Sequence, residues 1–381
     1  MKLNAICEVY SGYALKAFND AEDGFPVIKI GNIFMDGTLN LEECQYTTDG
    51  VNEKYYSQRG DIYIALSGAT TGKIGIMDAS EKYVINQRVG IVRQKSDDIP
   101  QEYIKYFLLR QTDRILQEAA GCAHPIISPR QIAEYVVPDT SQEKMQEICE
   151  VLDRIKKIID SRKVQISALD NLIKARFVEM FGDPVANEKG WTTKPLLDMG
   201  KCKNGMNFHY DDKGIEINCL GVGDFKNLSI IDNTEELPTI LLNEMPSEEY
   251  LLKDDDIVFV RSNGNKALVG RSLAVYPGDV PTTFSGFCIR YRKHDNEITV
   301  PYLLRVLKTD SMRMKMAGRG ANIQNLNQQI LGTLVIPVPP VELQNQFAAF
   351  VTEVNKSKVK VQKALDETQK LFDSLMQQYF G

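Results

Sequence analysis

The sequence predicts an α+β protein built as a tandem duplication, in which a β-rich globular domain followed by a long α-helix occurs twice. Three observations predict this fold: two stretches of coiled-coil periodicity, a repeat of the same segments 192 to 199 residues later, and short β-type stretches before each helix. We expect the two helices to pair as an antiparallel coiled coil. The predicted boundaries are 1–140 and 183–340 for the globular domains, and 141–182 and 341–381 for the helices.

The first predicted helix runs from Gln142 to Phe181, and its apolar residues recur alternately four and three positions apart. A repeat of about 3.5 residues is the signature of a coiled-coil seam. Arg162 and Arg176 interrupt the series, and Gly182-Asp183-Pro184 supplies the stop. The predicted seam residues are Ile148, Leu152, Ile155, Ile159, Ile166, Leu169 and Ile173.

The last forty residues repeat this pattern, with every seam position 199 residues after its counterpart. Lys358 and Thr368 stand in the gaps of this second series. Both helices end in Phe-Gly, at Phe181 and Phe380. The predicted seam residues are Phe347, Val351, Val354, Val361, Leu365, Phe372 and Leu375.

The globular parts repeat as well. Asp61-Ile62 matches Asp256-Ile257 at an offset of 195 residues, and Tyr103-Ile104 matches Tyr302-Leu303 at an offset of 199. The different offsets indicate loops of different length. Because the period is too long for a solenoid, it predicts two tandem domains.

Composition is that of an ordinary globular protein, with 43% hydrophobic and 25% charged residues among 381. No apolar run reaches membrane-spanning length, so we expect a cytoplasmic location and no membrane partner. The seven cysteines form no CxxC pair and the three histidines are scattered, so no metal site is expected. The net charge of −6 means that a nucleic-acid partner would need locally concentrated positive charge or help from other subunits.

Local patterns place strands and shorter helices in the globular parts. Residues 100–120 and 301–317 have helical periodicity. We expect Asp254-Asp255-Asp256 to be a solvated turn, and Leu220-Gly221-Val222-Gly223 to take part in strand packing. The strands predicted in the first domain are 27–33, 61–66, 73–77 and 87–93.

A glycine-rich loop follows the second of these strands and suggests phosphate binding. Its spacing is one residue short of a phosphate loop, and Ile74 stands where such a loop places Ser or Thr. We interpret it as a polar loop at a strand end, with an equivalent in the second domain. The candidate contact residues are Ser67, Thr70, Thr71 and Lys73 in the first loop and Arg261, Ser262, Asn263, Asn265 and Lys266 in the second.

These residue types suit DNA, since Arg and Asn can bind guanine and adenine edges in a bidentate manner, and Lys and Thr can hold phosphates. The alternative for either loop alone is a solvated hairpin turn. Asn86, Gln87 and Arg88 are further candidates in the first domain. Arg319 and Asn322, in a glycine-bearing loop of the second domain, are candidates too, and a polar helix C-cap explains that loop equally well.

Motifs of enzymes are missing. The sequence contains no Asn-Pro-Pro-aromatic or Asp-Pro-Pro-aromatic motif, no GxSxG, no HExxH and no helicase-type phosphate loop. We therefore expect a chain that is non-catalytic alone.

The duplicated order of variable domain and heptad helix resembles the specificity subunit of type I restriction-modification systems along essentially the whole chain. The most specific segments are ARFVEMFGDP at 175–184 and VIPVPPVELQNQFAAFV at 335–351. Segments 11–18, 60–77 and 84–93 also resemble parts of that family's target-recognition domains.

The resemblance implies a subunit that binds double-stranded DNA, two modification subunits and, in the full complex, restriction subunits. It implies adenine methylation with S-adenosylmethionine held by those partners, so that no cofactor is bound by this chain. Each target-recognition domain would read one half of a split site, with the helix pair setting the gap. Helices of about 40 residues are roughly 60 Å long, enough for a stiff spacer. The alternative is a coiled-coil scaffold whose two β-rich domains bind proteins or glycans.

Overall fold

The computed structural model describes residues 1–20, 22–119, 125–208, 214–225, 229–294, 296–317 and 325–381. The chain divides into two compact units. Unit 1 contains residues 1–164 and 362–381, and unit 2 contains residues 165–361. Each unit thus holds one globular domain and a part of both long helices.

Unit 1 carries two small sheets and a group of short helices before the first long helix. Its strands are β1 (Cys7–Ser11), β2 (Phe25–Ile28), β3 (Gln45–Thr47), β4 (Ile62–Ala65), β5 (Ile74–Ile76), β6 (Val84–Ile85) and β7 (Val89–Gln94). Its helices are α1 (Leu3–Ile6), α2 (Gln101–Arg110), α3 (Thr112–Ala119), α4 (Pro129–Ala133) and the first part of α5 (Gln142–Phe181).

The sheets of unit 1 have the orders β1-β7-β4-β5 and β3-β2-β6. The first sheet is antiparallel throughout, whereas β2 runs parallel to β6. Strand β4 is buried along its whole length, as expected for a central strand of β-branched and aromatic residues.

Unit 2 repeats most of these elements and has a few additions, with a 3₁₀ turn at Leu196–Asp198 in place of α1. Its strands are β8 (Thr193–Pro195), β9 (Gly200–Asn204), β10 (Ile215–Leu220), β11 (Ile230–Ile231), β12 (Thr239–Leu242), β13 (Asp256–Val260), β14 (Ser272–Val275), β15 (Thr282–Phe284), β16 (Cys288–Lys293) and β17 (Val335–Pro337). Its helices are α6 (Val300–Leu307), α7 (Asp310–Ala317), α8 (Gln328–Gly332) and part of α9 (Val341–Phe380), besides the end of α5.

The duplication is visible strand by strand. The order β9-β16-β13-β14 repeats β1-β7-β4-β5, and the order β12-β10-β15 repeats β3-β2-β6, including the parallel pair. Unit 2 adds β11 at the edge of the larger sheet and the pair β17-β8. In unit 1, a single bridge between Lys2 and Val136 takes the place of that last pair.

The two long helices cover the 40-residue spans Gln142–Phe181 and Val341–Phe380. In unit 1, seam residues Ile148, Leu152, Ile155 and Ile159 are buried and Leu365, Phe372 and Leu375 are half-buried. In unit 2, Phe347 and Val354 are buried and Ile166, Leu169, Ile173, Val351 and Val361 are half-buried.

Contacts within unit 2 show that the helices run antiparallel there. Asp170 accepts a hydrogen bond from Lys358 at 2.7 Å. Further along α5 but earlier along α9, the rings of Phe177 and Phe347 lie 5.5 Å apart. In unit 1, the guanidinium of Arg162 donates to Ala364 O and to Thr368 Oγ1. Two of the polar residues that interrupt the apolar series, Arg162 and Thr368, therefore contact each other across the helix pair.

The terminal phenylalanine of each helix explains the repeated Phe-Gly ending. In unit 1 the Phe380 ring lies 5.0 Å from Tyr103, and in unit 2 the Phe181 ring lies 4.7 Å from Tyr302. The two tyrosine hydroxyls donate to Pro138 O at 3.2 Å and to Pro337 O at 2.8 Å.

Among the described residues, no helix combines the length and the apolar content needed to cross a bilayer.

The expectation of a solvated acidic turn at 254–256 is wrong for its last residue. The Asp256 side chain is buried and binds the Arg292 guanidinium through both oxygens, each at 2.7 Å. Unit 1 has the same pair between Asp61 and Arg93. The strand begins at this aspartate, so its carboxylate enters the domain interior.

The helical stretch predicted at 100–120 is two helices, α2 and α3, and α6 and α7 repeat the break. The break follows from local capping. The Thr112 hydroxyl donates to Leu109 O at 2.9 Å, and the Thr309 hydroxyl donates to Val306 O at 2.8 Å. A threonine that satisfies a carbonyl at the end of one helix allows the next helix to start in a new direction.

The strand predicted at 27–33 ends at Ile28, and residues Ile30–Asn32 form a 3₁₀ turn. Of the glycines predicted to take part in strand packing, Gly223 lies in the equivalent turn, Val222–Asp224, and Gly221 directly precedes it. Each turn is closed by a side chain: Asn32 accepts from the Lys29 N–H at 2.9 Å, and Asp224 accepts from the Gly221 N–H at 2.8 Å. This local capping ends both strands early.

Candidate nucleic-acid interface

Three segments meet at one end of the first domain. We name them loop cluster 1, which consists of residues 66–73, 85–89 and 125–127. The Leu66 N–H donates to Arg88 O, and the Ile127 N–H donates to Leu66 O, both at 2.9 Å. The Gln87 N–H donates to Tyr13 O at 2.9 Å. The structure therefore brings the loop after β4 and the turn between β6 and β7 together, although they are separate in sequence.

The second domain repeats this arrangement in loop cluster 2, which consists of residues 261–271, 284–288 and 325–327. The Arg261 N–H donates to Phe287 O and the Leu326 N–H donates to Arg261 O, both at 2.8 Å. The Gly286 N–H donates to Met206 O at 2.8 Å. These three hydrogen bonds correspond one to one with the three named for loop cluster 1.

A glycine in each domain allows the close contact that supports the cluster. An ideal Cβ at Gly12 would lie 2.3 Å from Ile85 O, and one at Gly205 would lie 2.1 Å from Ser285 O. Any side chain would collide with the backbone of the turn. The frame is thus the same in both domains, while the side chains that leave it differ.

The candidate contact residues of the first loop differ in their exposure. Ser67, Thr70 and Lys73 are half-buried. Thr71 is buried, and its hydroxyl donates to Gly68 O at 2.7 Å, a hydrogen bond that shapes the loop. Thr70 Oγ1 is buried and has no hydrogen-bond partner within the described residues.

The turn between β6 and β7 exposes Gln87 and Arg88, whereas Asn86 is half-buried. The Asn86 side chain accepts from the Arg88 N–H at 3.2 Å and thereby shapes the turn. Gln87 and Arg88 are the candidates of this cluster whose side chains are most open to a partner.

The loop after β13 is longer than its counterpart. Arg261, Ser262 and Asn263 are half-buried, and Asn265 and Lys266 are exposed. The guanidinium of Arg261 donates to Gly286 O at 3.4 Å, which anchors this cation beside the neighbouring turn.

Backbone pairing identifies one cation that the sequence comparison missed. The Ala65 N–H donates to Lys73 O, and the Val260 N–H donates to Arg271 O, both at 2.9 Å. The structural counterpart of Lys73 is therefore Arg271 and not Lys266. The extra residues of the second loop shift the alignment at this point.

Phe287 and Asn207 are two further exposed residues of this region that are not among the candidates predicted from the sequence. Phe287 is 62% exposed at the position equivalent to Arg88, and Asn207 is exposed beside it. The signal was present, because Phe287 lies 199 residues after Arg88, the same offset as the helix seams. Arg319 and Asn322, by contrast, lie outside the described residues.

The described segments contain cysteine and acidic side chains, which are the residue types of metal sites and of reactive thiols. No group of three or more His, Cys, Asp or Glu residues there is placed to hold a metal ion. Burial raises the pKa of Cys7, Cys149, Cys202 and Cys219 to about 12, so these thiols stay protonated at neutral pH.

Each unit also has a groove lined by its short helices and by both long helices. The groove of unit 1 has a volume of about 680 Å³ and that of unit 2 about 620 Å³. Tyr106 and Phe372 line the first, and Arg305 and Ile173 line the second at the equivalent positions. In unit 2, burial and neighbouring cations lower the pKa of Lys308 to about 8.

Comparison with known proteins identifies one family. The family described as "Type I restriction modification DNA specificity domain" matches residues 1–170 and 188–368. The specificity subunit of the type I restriction enzyme StySPI from Salmonella potsdam is 24% identical, over 96% of this chain and 84% of that protein. The MjaVIII specificity subunit from Methanocaldococcus jannaschii is 25% identical, over 46% of this chain and 43% of its own.

Solved structures have the same fold. The type I restriction-modification S subunit from M. genitalium matches with a TM-score of 0.54 and 17% identity, over 100% of this chain and 95% of that one. A chain from a structural study of assembly and conformational transition of the type I R-M system matches with a TM-score of 0.59 and 14% identity, over 100% and 96%. The fold class predicted from the sequence is confirmed.

Proposed function

This chain belongs to the family of type I restriction-modification DNA specificity subunits, and from that premise we propose that each of its two domains reads one half of a bipartite DNA site. One observation carries the proposal: the two loop clusters have the same backbone frame but present different side chains. Loop cluster 1 exposes Gln87 and Arg88 where loop cluster 2 has Gly286 and Phe287. A shared backbone frame with different exposed side chains is suited to two domains that recognise different base sequences.

The chemistry of the tips supports DNA as the ligand. Arg88 and Arg261 carry guanidinium groups that match the two acceptors of guanine, and the amide of Asn263 matches adenine. Lys73 and Lys266 would contact phosphates, which position a protein on the duplex without reading sequence. The family match gives no support to the alternative of a scaffold that binds proteins or glycans.

Two modification subunits would dock on this chain, one per unit. Exposed apolar residues on α5 support a protein-binding helix face outside the seam. Val151, Ile158 and Leu172 are 39%, 44% and 47% exposed and lie at multiples of seven residues. A second heptad stripe favours contact with further helices. The repeated grooves offer each partner an equivalent surface.

Catalysis would reside in these partners. The modification subunits would hold S-adenosylmethionine and methylate adenine in each half-site, and restriction subunits would cut DNA in the full complex. The described part of this chain would supply DNA recognition and the surfaces that position its partners.

The test is to co-express the chain with its modification subunit and to map adenine methylation across the host DNA. Methylation at a single bipartite motif, absent without this chain, is the expected result. The double variant Arg261→Ala, Asn263→Ala should lose or relax one half-site only, while the other half stays unchanged. A soluble complex with an active modification subunit that methylates no new site would refute the proposal.

A further inference from the structure

Phe287 is an exposed aromatic residue at the tip of loop cluster 2. Its side chain is 62% exposed in the short turn between β15 and β16. The residues flanking this turn, Phe284 and Cys288, are fully buried, so the turn itself is firmly anchored. An exposed ring on an anchored turn is available to a partner without any rearrangement of the core.

The backbone holds Phe287 in the same way as Arg88. The Phe287 N–H donates to Ser285 Oγ at 3.3 Å, and the Arg88 N–H donates to Asn86 Oδ1 at 3.2 Å. The carbonyl oxygens of both residues accept from the loop after the neighbouring strand, β13 or β4. Because the frames correspond, the two side chains occupy equivalent places in their domains.

The surroundings of Phe287 are polar. The Arg261 guanidinium donates to Gly286 O at 3.4 Å, directly beside Phe287. Asn207 also lies next to Gly286, because its Oδ1 would lie 2.1 Å from a Cβ built there. Glycine at this position therefore leaves room for an exposed asparagine. A guanidinium and an amide, the two groups that match base edges, therefore lie next to Gly286 in the turn that carries Phe287.

Resting on the proposed function, we infer that Phe287 is a specificity-determining residue that contacts the C5-methyl group of a thymine in the half-site read by the second domain. Thymine alone among the bases presents a methyl group in the major groove, and phenylalanine is one of the side chains that recognise it. The guanidinium and the amide next to Gly286 would read base edges in the same groove. Arg88 would make a polar contact at the equivalent place in the first half-site.

Contact with a thymine methyl group gives the exposed apolar ring a function. Removing the exposed surface of a phenylalanine from water lowers the free energy. Contact with the apolar thymine methyl group removes part of that surface from water. The two domains then use one frame for two chemistries, a cation in the first and an apolar ring in the second. The recognised half-site of the second domain must contain a thymine.

The experiment removes the methyl group from the DNA and the ring from the protein separately. Methylation mapping first gives the bipartite motif. Duplexes are then made in which one thymine at a time in each half-site is replaced by deoxyuridine, which lacks only the methyl group. Binding of the complex with modification subunits is measured for the wild type and for Phe287→Ala, Phe287→Leu and Arg88→Ala.

The wild type should bind about fourfold more weakly when one thymine of the second half-site is replaced, the factor expected for burial of one methyl group. Phe287→Ala should bind both duplexes equally, and Phe287→Leu should keep part of the difference. Arg88→Ala should change recognition of the first half-site and keep the response to deoxyuridine in the second.

Three results would overturn the inference: a wild type that is indifferent to every replacement, an alanine variant that keeps the full difference, or an alanine variant that no longer binds the modification subunit. The last would assign Phe287 to a protein interface. A wild-type complex that directs methylation to no bipartite motif would refute the proposed function itself, and this inference with it.

Discussion

At the scale of single residues, a buried ion pair is the feature that the two recognition domains share most closely. The Asp61 carboxylate accepts from Arg93 at 2.6 and 2.7 Å, and the Asp256 carboxylate accepts from Arg292 at 2.7 Å through each oxygen. The aspartate side chains are 1% and 0% exposed. Each buried carboxylate is paired with its arginine, so loss of either group leaves an uncompensated buried charge.

We therefore predict that Asp256→Asn lowers the free energy of unfolding by about 3 kcal/mol, the lower end of the cost of breaking a buried ion pair. Asp61→Asn should cause a loss of similar size, since the pair is duplicated. Denaturant unfolding of the full chain, followed by circular dichroism, measures both. The control is Glu248→Gln, which removes an exposed carboxylate that lies 3.4 Å from Lys253. That change should cost less than about 1 kcal/mol. Equal losses for Asp256 and Glu248 would show that the buried pair has no special role.

The sequence indicates that Asp61 and Asp256 are equivalent but not that they are buried. Their arginine partners follow 32 and 36 residues later, on another strand. No residue near these aspartates in sequence indicates the distant arginine that neutralises them. The acidic run at 254–256 therefore resembles a solvated turn. Side-chain partners across a sheet are fixed by strand pairing, which a single sequence specifies only weakly.

At the scale of elements, the long helices are the best predicted part of the chain. Their ends at Phe181 and Phe380 follow from a periodic seam that stops at a Phe-Gly pair. The break between α2 and α3 is harder to predict, because the apolar pattern continues through it and only the hydroxyl of Thr112 marks the change. An apolar periodicity over many turns is a stronger sequence signal for a helix than a single capping side chain is for its end.

The seam of unit 2 ends in an aromatic cluster. The ring of Phe347 lies 5.5 Å from Phe177 and 5.6 Å from Phe181, and the Phe181 ring lies 4.7 Å from Tyr302. All four side chains are at most 2% exposed. The cluster joins both long helices to the short helix α6, and edge-to-face contacts of this kind add to the energy of burial.

Removal of one ring should be costly. Phe347→Ala is predicted to lower the free energy of unfolding by about 3–5 kcal/mol, the range for a phenylalanine removed from a core. On the same helix, Val359→Ala is the matched control, because Val359 is 68% exposed. This control should stay within about 0.5 kcal/mol of the wild type. If both variants unfold at the same denaturant concentration as the wild type, the aromatic cluster does not stabilise unit 2.

The polar contacts of the helix pair are not duplicated. Arg162 and Lys358 correspond, at the offset of 199, to Val361 and Ile159. The contact of Arg162 with Thr368 in unit 1 therefore has no polar equivalent in unit 2. Polar residues within an apolar seam are known to specify helix register. Here the polar residues occupy different positions in α5 and α9, so the two helices are not interchangeable as pairing partners.

At the scale of the whole molecule, the duplication can be predicted from the sequence but the composition of the reading surface cannot. The offset of 199 residues connects Arg88 with Phe287, yet an isolated phenylalanine before a strand is more often part of a core. Its exposure depends on β15, β16 and the loop after β13 meeting in one place. Arrangements of this kind combine segments that are distant in sequence, and loops of unequal length shift their alignment.

The helices provide a test of the proposed spacer. The part of α5 that lies in unit 1 ends at residue 164. The part of α9 that lies in unit 2 ends at residue 361. An insertion after each of these positions leaves the contacts within both units intact, including Arg162 with Thr368 and Asp170 with Lys358. Seven residues preserve the phase of the seam, since the heptad is its repeat.

We predict that a heptad inserted at both positions widens the gap between the half-sites by about three base pairs, because seven helical residues add about 10.5 Å and one base pair rises about 3.4 Å. The bases within each half-site should not change. Methylation mapping with the co-expressed modification subunit measures both quantities at once. A four-residue insertion at the same positions is the control, because it shifts the phase of the seam and should impair complex formation. An unchanged gap together with altered bases in either half-site would contradict a spacer role, since the loops would then depend on the helices for their sequence preference.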